Sequence, residues 1–136
     1  MKTLFKLFLV ITALVMISCS AQRQVASRIT GDWNIEEYIV LLANGTETKM
    51  ENAGTITFLK NGRGQQTFST AITHIDATST GEFRWDNTAH VVFIWITAVQ
   101  YRKAWIIVNS SRSAQVWRST DSEGNVQSMH LKRRKD

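Results

Sequence analysis

From Trp33 to the end of the chain no stretch carries the 3.6-residue apolar period of a helix, while apolar and polar residues alternate in short runs broken by turn residues. That pattern confines the region to β structure. Its opening strand starts at Gly31-Asp32-Trp33 and reaches Leu42. Trp33 and Ile35 alternate with Asp32 and Asn34, Glu36-Glu37 interrupts, and the apolar residues then run on through Tyr38-Ile39-Val40-Leu41-Leu42. The alternation crosses the acidic pair only if one extra residue is absorbed as a β-bulge near Glu36. One long, bent strand is expected, followed by Asn44-Gly45 as the two φ > 0 positions of a tight hairpin turn.

The same reading continues down the chain. Thr46 to Asn52 is polar apart from Met50 and reads as a short strand or loop. Gly54 to Lys60 sets Ile56 and Phe58 against Thr55 and Thr57, Asn61-Gly62 turns, and Arg63 to Thr70 returns with Phe68 inward. Ala71 to Ser79, with Ile72 and Ile75 among polar residues, reads as a strand edge or connection. Thr80 to Trp85 puts Phe83 and Trp85 on one face, and a turn at Asp86-Asn87-Thr88 leads into His90 to Thr97, which is apolar on both faces. A two-residue loop there groups Phe83 and Trp85 with Val92, Ile94 and Ile96. A three-residue loop groups them with Val91, Phe93 and Trp95.

Gln100-Tyr101-Arg102-Lys103 reads as a polar turn and Ala104 to Asn109 as a strand apolar on both faces. Ser110 to Arg112 turns, and Ser113 to Ser119 carries Ala114 and Val116 against Trp117. Asp121-Ser122-Glu123-Gly124 turns with Gly placed for positive φ. Asn125 to Arg133 closes the chain with Met129 and Leu131 inward. Eight or nine sequential antiparallel strands remove their sticky edges most simply by closing into an up-and-down barrel.

The segment before Gly31 is of another kind. Lys2 and Lys6 precede an apolar run from Leu7 to Ile17, a charged region and hydrophobic core of signal-peptide length. The run itself is too short to span a bilayer. It ends in Met16-Ile17-Ser18-Cys19, which resembles a bacterial lipobox, where a signal peptidase cuts before a Cys that is then acylated. Cys19 is the single cysteine of the chain, so no intramolecular disulfide competes for it. The competing reading is a plain signal peptide cut elsewhere. The division expected is a signal peptide over 1–18, a polar tether over 19–30 and a barrel domain over 31–136. Ser20, rather than Asp, in the second place resembles lipoproteins sorted to the outer membrane, which implies a bacterial cell-envelope location.

Cleavage before Cys19 takes Lys2 and Lys6 away, leaving 14 basic against 11 acidic side chains. Four of those basics stand together as Lys132-Arg133-Arg134-Lys135, so the remainder is near neutral. No basic stripe with interleaved aromatics speaks for nucleic acid. The run reads either as a solvated end or as a contact for anionic headgroups near the tether.

With lipobox Cys19, Gly31-Asp32-Trp33, the Gly54-Thr55-Ile56-Thr57-Phe58 strand with Asn61-Gly62, the Phe83-Arg84-Trp85 strand and late Trp117, the chain resembles the bacterial lipocalin-like lipoproteins, over residues 28 to 134. The resemblance implies a calycin-type barrel more strongly than a function. Reactive signatures are absent from the sequence. His74, His90 and His130 have no paired ligand spacing, which argues against a metal site. Glu36 and Glu37 face opposite sides of a strand and cannot flank one substrate bond. No Gly-x-Ser-x-Gly elbow or phosphate loop occurs. No enzymatic activity and no cofactor are therefore expected. The aromatic set of five Trp, six Phe and two Tyr is the feature able to carry function. Trp33, Phe58, Phe68, Phe83, Trp85, Trp105 and Trp117 are the candidate barrel lining, with Arg84 or Tyr101 at the mouth. Two readings stay open: a cavity for a small apolar or amphipathic ligand, or a solid barrel whose outer apolar face, with Trp105 or Ile106, docks on an envelope protein.

Overall fold

The strand alternation closes the sheet on itself. In a computed structural model, which describes residues 1–68, 80–96 and 101–135, helix α1 (Lys2–Ile29) precedes eight strands. These are β1 (Gly31–Leu41), β2 (Glu47–Phe58), β3 (Arg63–Phe68), β4 (Thr80–Asn87), β5 (Val91–Ile96), β6 (Tyr101–Ser110), β7 (Ala114–Thr120) and β8 (Val126–Arg133). Each pairs antiparallel with the next, and β8 returns to β1 from Trp33↔Arg133 to Leu41↔Val126, giving a closed up-and-down barrel. The segment 71–79, read as an edge or connection, and Thr97 lie outside the described residues.

The bend in β1 falls where the acidic pair places it. Its register shifts between Ile35 and Glu37 against both neighbours, leaving Glu36 as the extra residue. Glu37 then faces out to Lys49 at 3.0 Å, while Tyr38 and Val40 rejoin Trp33 and Ile35 inside. Opposite the bulge, β2 bends at Asn52 (φ 51°) and Gly54 (φ 148°). It therefore stays one strand of 12 residues, where polar Thr46 to Asn52 suggested a short strand or loop of its own. A Cβ at Gly54 would run into the Thr67 carbonyl of β3, so the sheet closes tightly there only without a side chain.

Three of the turns share one geometry. In Leu42–Thr46, Leu59–Arg63 and Asp121–Asn125 the fourth residue's amide bonds back to the first residue's carbonyl, and the first amide bonds to the fifth carbonyl. Only the glycines Gly45, Gly62 and Gly124 take positive φ. These are three-residue loops with a type I turn and a glycine bulge, so Asn44 does not take the φ > 0 expected of it, and neither does Asn61. Their side chains accept the amides of Thr46 and Arg63 instead.

The β4–β5 connection is a two-residue turn, Ala89-His90. The Thr88 amide bonds the Val91 carbonyl at 2.9 Å, and the Thr88 hydroxyl accepts the amides of His90 and Val91. Arg84 thus faces Trp95 and Trp85 faces Ile94 across the ladder. Phe83 and Trp85 share the interior with Val92, Ile94 and Ile96, which settles the register. Arg102 and Lys103, read as part of a turn, belong to β6. In β7 Trp117 faces inward with Gln115 and Ser119, and Ala114 and Val116 take the other face.

Helix α1 does two things. Its first half exposes Leu4, Phe5, Phe8 and Leu14, and by length and composition the helix could cross a bilayer, a test that a signal sequence also passes. Its last two turns dock on the barrel. Val25 and Ile29, one turn apart on one face, are buried in the core. Gln22 donates to the Asn87 carbonyl at 2.7 Å and Asn87 donates back to the Gln22 carbonyl at 3.1 Å. We call this helix-closed end the near end. The turns 42–46 and 121–125 lie at the far end.

Candidate functional site

All seven aromatic residues expected to line the barrel are buried, six of them at two levels and Trp33 at the near end. At the lower level Phe58 is the hub. Its ring meets Phe83 at 5.4 Å, Trp85 at 5.3 Å and Trp117 at 5.5 Å, each edge-to-face. Gly64 lies opposite Phe83 in the ladder, and a Cβ there would strike that ring. This level is occupied by protein. The Trp indoles are satisfied locally: Trp85 Nε1 donates to the Leu59 carbonyl at 2.9 Å, and Trp117 Nε1 to Gln115 Oε1 at 3.2 Å.

Trp33 seals the near end. Its Nε1 donates to the Ile29 carbonyl at 2.7 Å, tying strand to helix. The Arg133 guanidinium lies 4.3 Å over its ring and donates to the main-chain carbonyls of Arg28, Thr30 and Arg112. One cation thereby joins helix, β1, β8 and the β6–β7 turn.

The upper level has a different character. Tyr38 meets Phe68 at 6.3 Å and Trp105 at 6.2 Å, again edge-to-face. Beside them β6 turns Lys103 inward, two residues before Trp105 and therefore on the same face. Lys103 Nζ lies 4.7 Å from the Trp105 ring centroid and donates to Gln127 Oε1 at 2.7 Å. Gln127 Nε2 donates in turn to Asp121 Oδ2 at 3.2 Å. Burial pushes the Lys103 ammonium down to about 8, against the opposing attraction of Asp121. Desolvation raises the Asp121 carboxyl, but bonds from the Asn125 amide and side chain, the Glu123 amide and Gln127 outweigh it and hold the group below its ordinary value. An amine in this setting donates to a carboxylate, phosphate or carbonyl oxygen, and the rings beside it suit an alkyl chain.

Lys103, Gln127, Asp121 and Tyr38 were not among the expected lining. Their signal was parity: Lys103 alternates with Trp105, and Gln127 with Met129 and Leu131. Arg84 stands on the outer surface rather than at a mouth, and the Tyr101 side chain lies outside the described residues. Exposed Cys19 sits within α1, three residues before Gln22. Among the described residues no three His, Cys, Asp or Glu side chains converge as a metal site would require.

Comparison with models of known protein families and with curated proteins returns no match. Among solved structures, the chain is similar to a redesigned beta barrel. The match has 14% identity and a TM-score of 0.50, and it covers 82% of this chain and 96% of the other. At that identity the likeness concerns the fold alone.

Proposed function

We propose that this chain is a lipid-tethered, lipocalin-like binding barrel of the bacterial envelope, acting by holding an amphipathic ligand rather than by catalysis. The observation that carries the reading is Lys103. An interior ammonium is costly to bury, and the partners the barrel gives this one are uncharged, the Gln127 amide oxygen and the Trp105 ring, which leaves its charge open to an anionic group. Here it stands beside Trp105 at the level above the packed rings of Phe58, Phe83, Trp85 and Trp117. A ligand with an alkyl body and an anionic head matches both. The tether rests on Met16-Ile17-Ser18-Cys19, where the apolar run of the first half of α1 ends. Two or more acyl chains on one Cys would anchor it stably.

Native mass spectrometry of the full chain made in a bacterial host, followed by organic extraction, tests the binding. The expected result is an added mass that extracts as an amphipathic anion and falls away in Lys103→Met. A bare chain that also takes up no alkyl carboxylate or alkyl phosphate would refute it. Metabolic fatty-acid labelling tests the tether, with label expected on the wild type and none on Cys19→Ala.

A second reading has its own observation. On the outer face of β5 and β6, Phe93 is 38% exposed, Ile106 58% and Val108 52%, with Trp95 half-buried beside them. This patch suits a protein partner in the envelope. Ile106→Glu would abolish such association without disturbing the barrel, because the side chain points away from the core.

A further inference from the structure

The tether reading leaves open which way the barrel faces, and the near end answers it. Gln22 is fixed to Asn87 by two hydrogen bonds, and the acyl site Cys19 lies three residues earlier on the same uninterrupted helix. At 1.5 Å per residue that is a rise of about 4.5 Å. No slack remains for the barrel to tumble freely above the membrane.

The surface brought down by this short tether is basic. A groove between the end of α1 and the chain end is lined by Ser27, Thr30, Arg112 and Ser113 with the run Lys132 to Lys135. A second groove along the helix is lined by Cys19, Ser20, Arg23 and Ser27. Ser27 belongs to both, so the path from acyl site to basic run is continuous. Little within the protein neutralises that charge. Asp32 reaches Arg134 at 3.4 Å and Glu36 reaches Lys132 at 3.8 Å, both solvent-exposed pairs. Arg133 is engaged with the main chain. Arg112 and Lys135 make no ion pair among the described residues. The far-end turn 121–125, by contrast, carries Asp121 and Glu123, and Glu47 opens β2 beside the other far-end turn. An anionic surface attracts the near end.

We propose that the groove between α1 and the 132–135 run binds the phosphate headgroup of an anionic membrane lipid and holds the barrel upright, near end on the bilayer. The inference rests on Cys19 being acylated. It places the interior site of Lys103 on the side facing away from the membrane. Each basic side chain close to an anionic surface shifts the docked-to-free ratio by roughly five-fold, and high salt screens it.

The test uses the full acylated chain in vesicles of phosphatidylcholine with or without phosphatidylglycerol, carrying an environment-sensitive thiol dye at Lys60→Cys on a near-end turn or at Ser122→Cys on a far-end turn. Expected is a blue shift at position 60 on phosphatidylglycerol alone, with none at position 122. The shift disappears in high salt. It also disappears in the Arg112→Gln/Lys132→Gln/Lys135→Gln variant, whose docked-to-free ratio falls on the order of 100-fold. These side chains lie outside the core, and unchanged Trp emission verifies the fold. Equal signals on the two lipid mixtures, or equal shifts at both positions, overturn the inference. Dye uptake by the wild-type chain would show a free Cys19 thiol, and would overturn the tether reading and the inference together.

Discussion

Burial holds Lys103 at about 8 in the folded barrel, where the free side chain titrates at 10.5. Between those values the unfolded chain binds more protons than the folded one, so stability rises as pH climbs from about 8 toward 10.5. Urea unfolding followed by Trp emission should show that rise in the wild type and lose it in Lys103→Met. The difference between the two curves isolates this group from the exposed lysines. At pH 7 the Met variant should be more stable by about 1 kcal/mol, since a buried ammonium is replaced by an apolar chain of similar length. Gain of stability with loss of ligand is the mark of a functional group; a purely structural lysine would lose both. Trp33 shows the opposite behaviour. Trp33→Phe keeps the ring beneath Arg133 but leaves the Ile29 carbonyl without its indole donor. It should cost about 1–3 kcal/mol in the same assay.

At the scale of elements, the end of α1 works as a plug. Ile29 is fully buried and Val25 nearly so, and Ile29→Ala should destabilise the barrel by about 2–4 kcal/mol in urea unfolding, as cavities in packed cores do. A helix that was only a tether would tolerate the change. The sequence reading of 19–30 as polar spacer missed the docking because two apolar residues one turn apart are too few to show a helical period in a polar background. The bulge at Glu36 was legible, since an acidic pair inside an apolar alternation has no other solution. The Ala89-His90 turn was not. It contains no glycine and takes no positive φ, and it is specified by the Thr88 hydroxyl capping two amides. The aromatic lining was legible because large rings on one parity have only the interior to fill. The polar part of the site was hidden because Arg102-Lys103 looks like a turn to any reading by polarity, and only pairing of Ile94 with Lys103 shows it to be strand.

Across the whole molecule the two ends of the barrel are built from different materials, and stability should be distributed accordingly. The lower level joins Phe58, Phe83, Trp85 and Trp117 in ring contacts, and the plug of Val25 and Ile29 closes it beneath Trp33. Opening any one strand there uncovers several rings at once, so these amides can exchange only when the entire barrel unfolds. The upper level is held by fewer rings and by the Lys103–Gln127–Asp121 bonds, and the β1–β2 turn beside it exposes Ala43 to Lys49. Local opening at that end uncovers little apolar surface. Native-state hydrogen exchange should therefore find the amides of Ile56, Trp85, Trp117 and Leu131 exchanging at the global unfolding free energy, and those of Val40, Thr48 and Gln127 at markedly lower values. A ligand seated on Lys103 would raise the second group toward the first and leave the first almost where it was, because its contacts lie only in the part that opens. Uniform protection in the free protein would mean instead that the barrel is as solidly packed above Tyr38 as below it, and would favour the outer patch of Phe93 and Ile106 as the working surface.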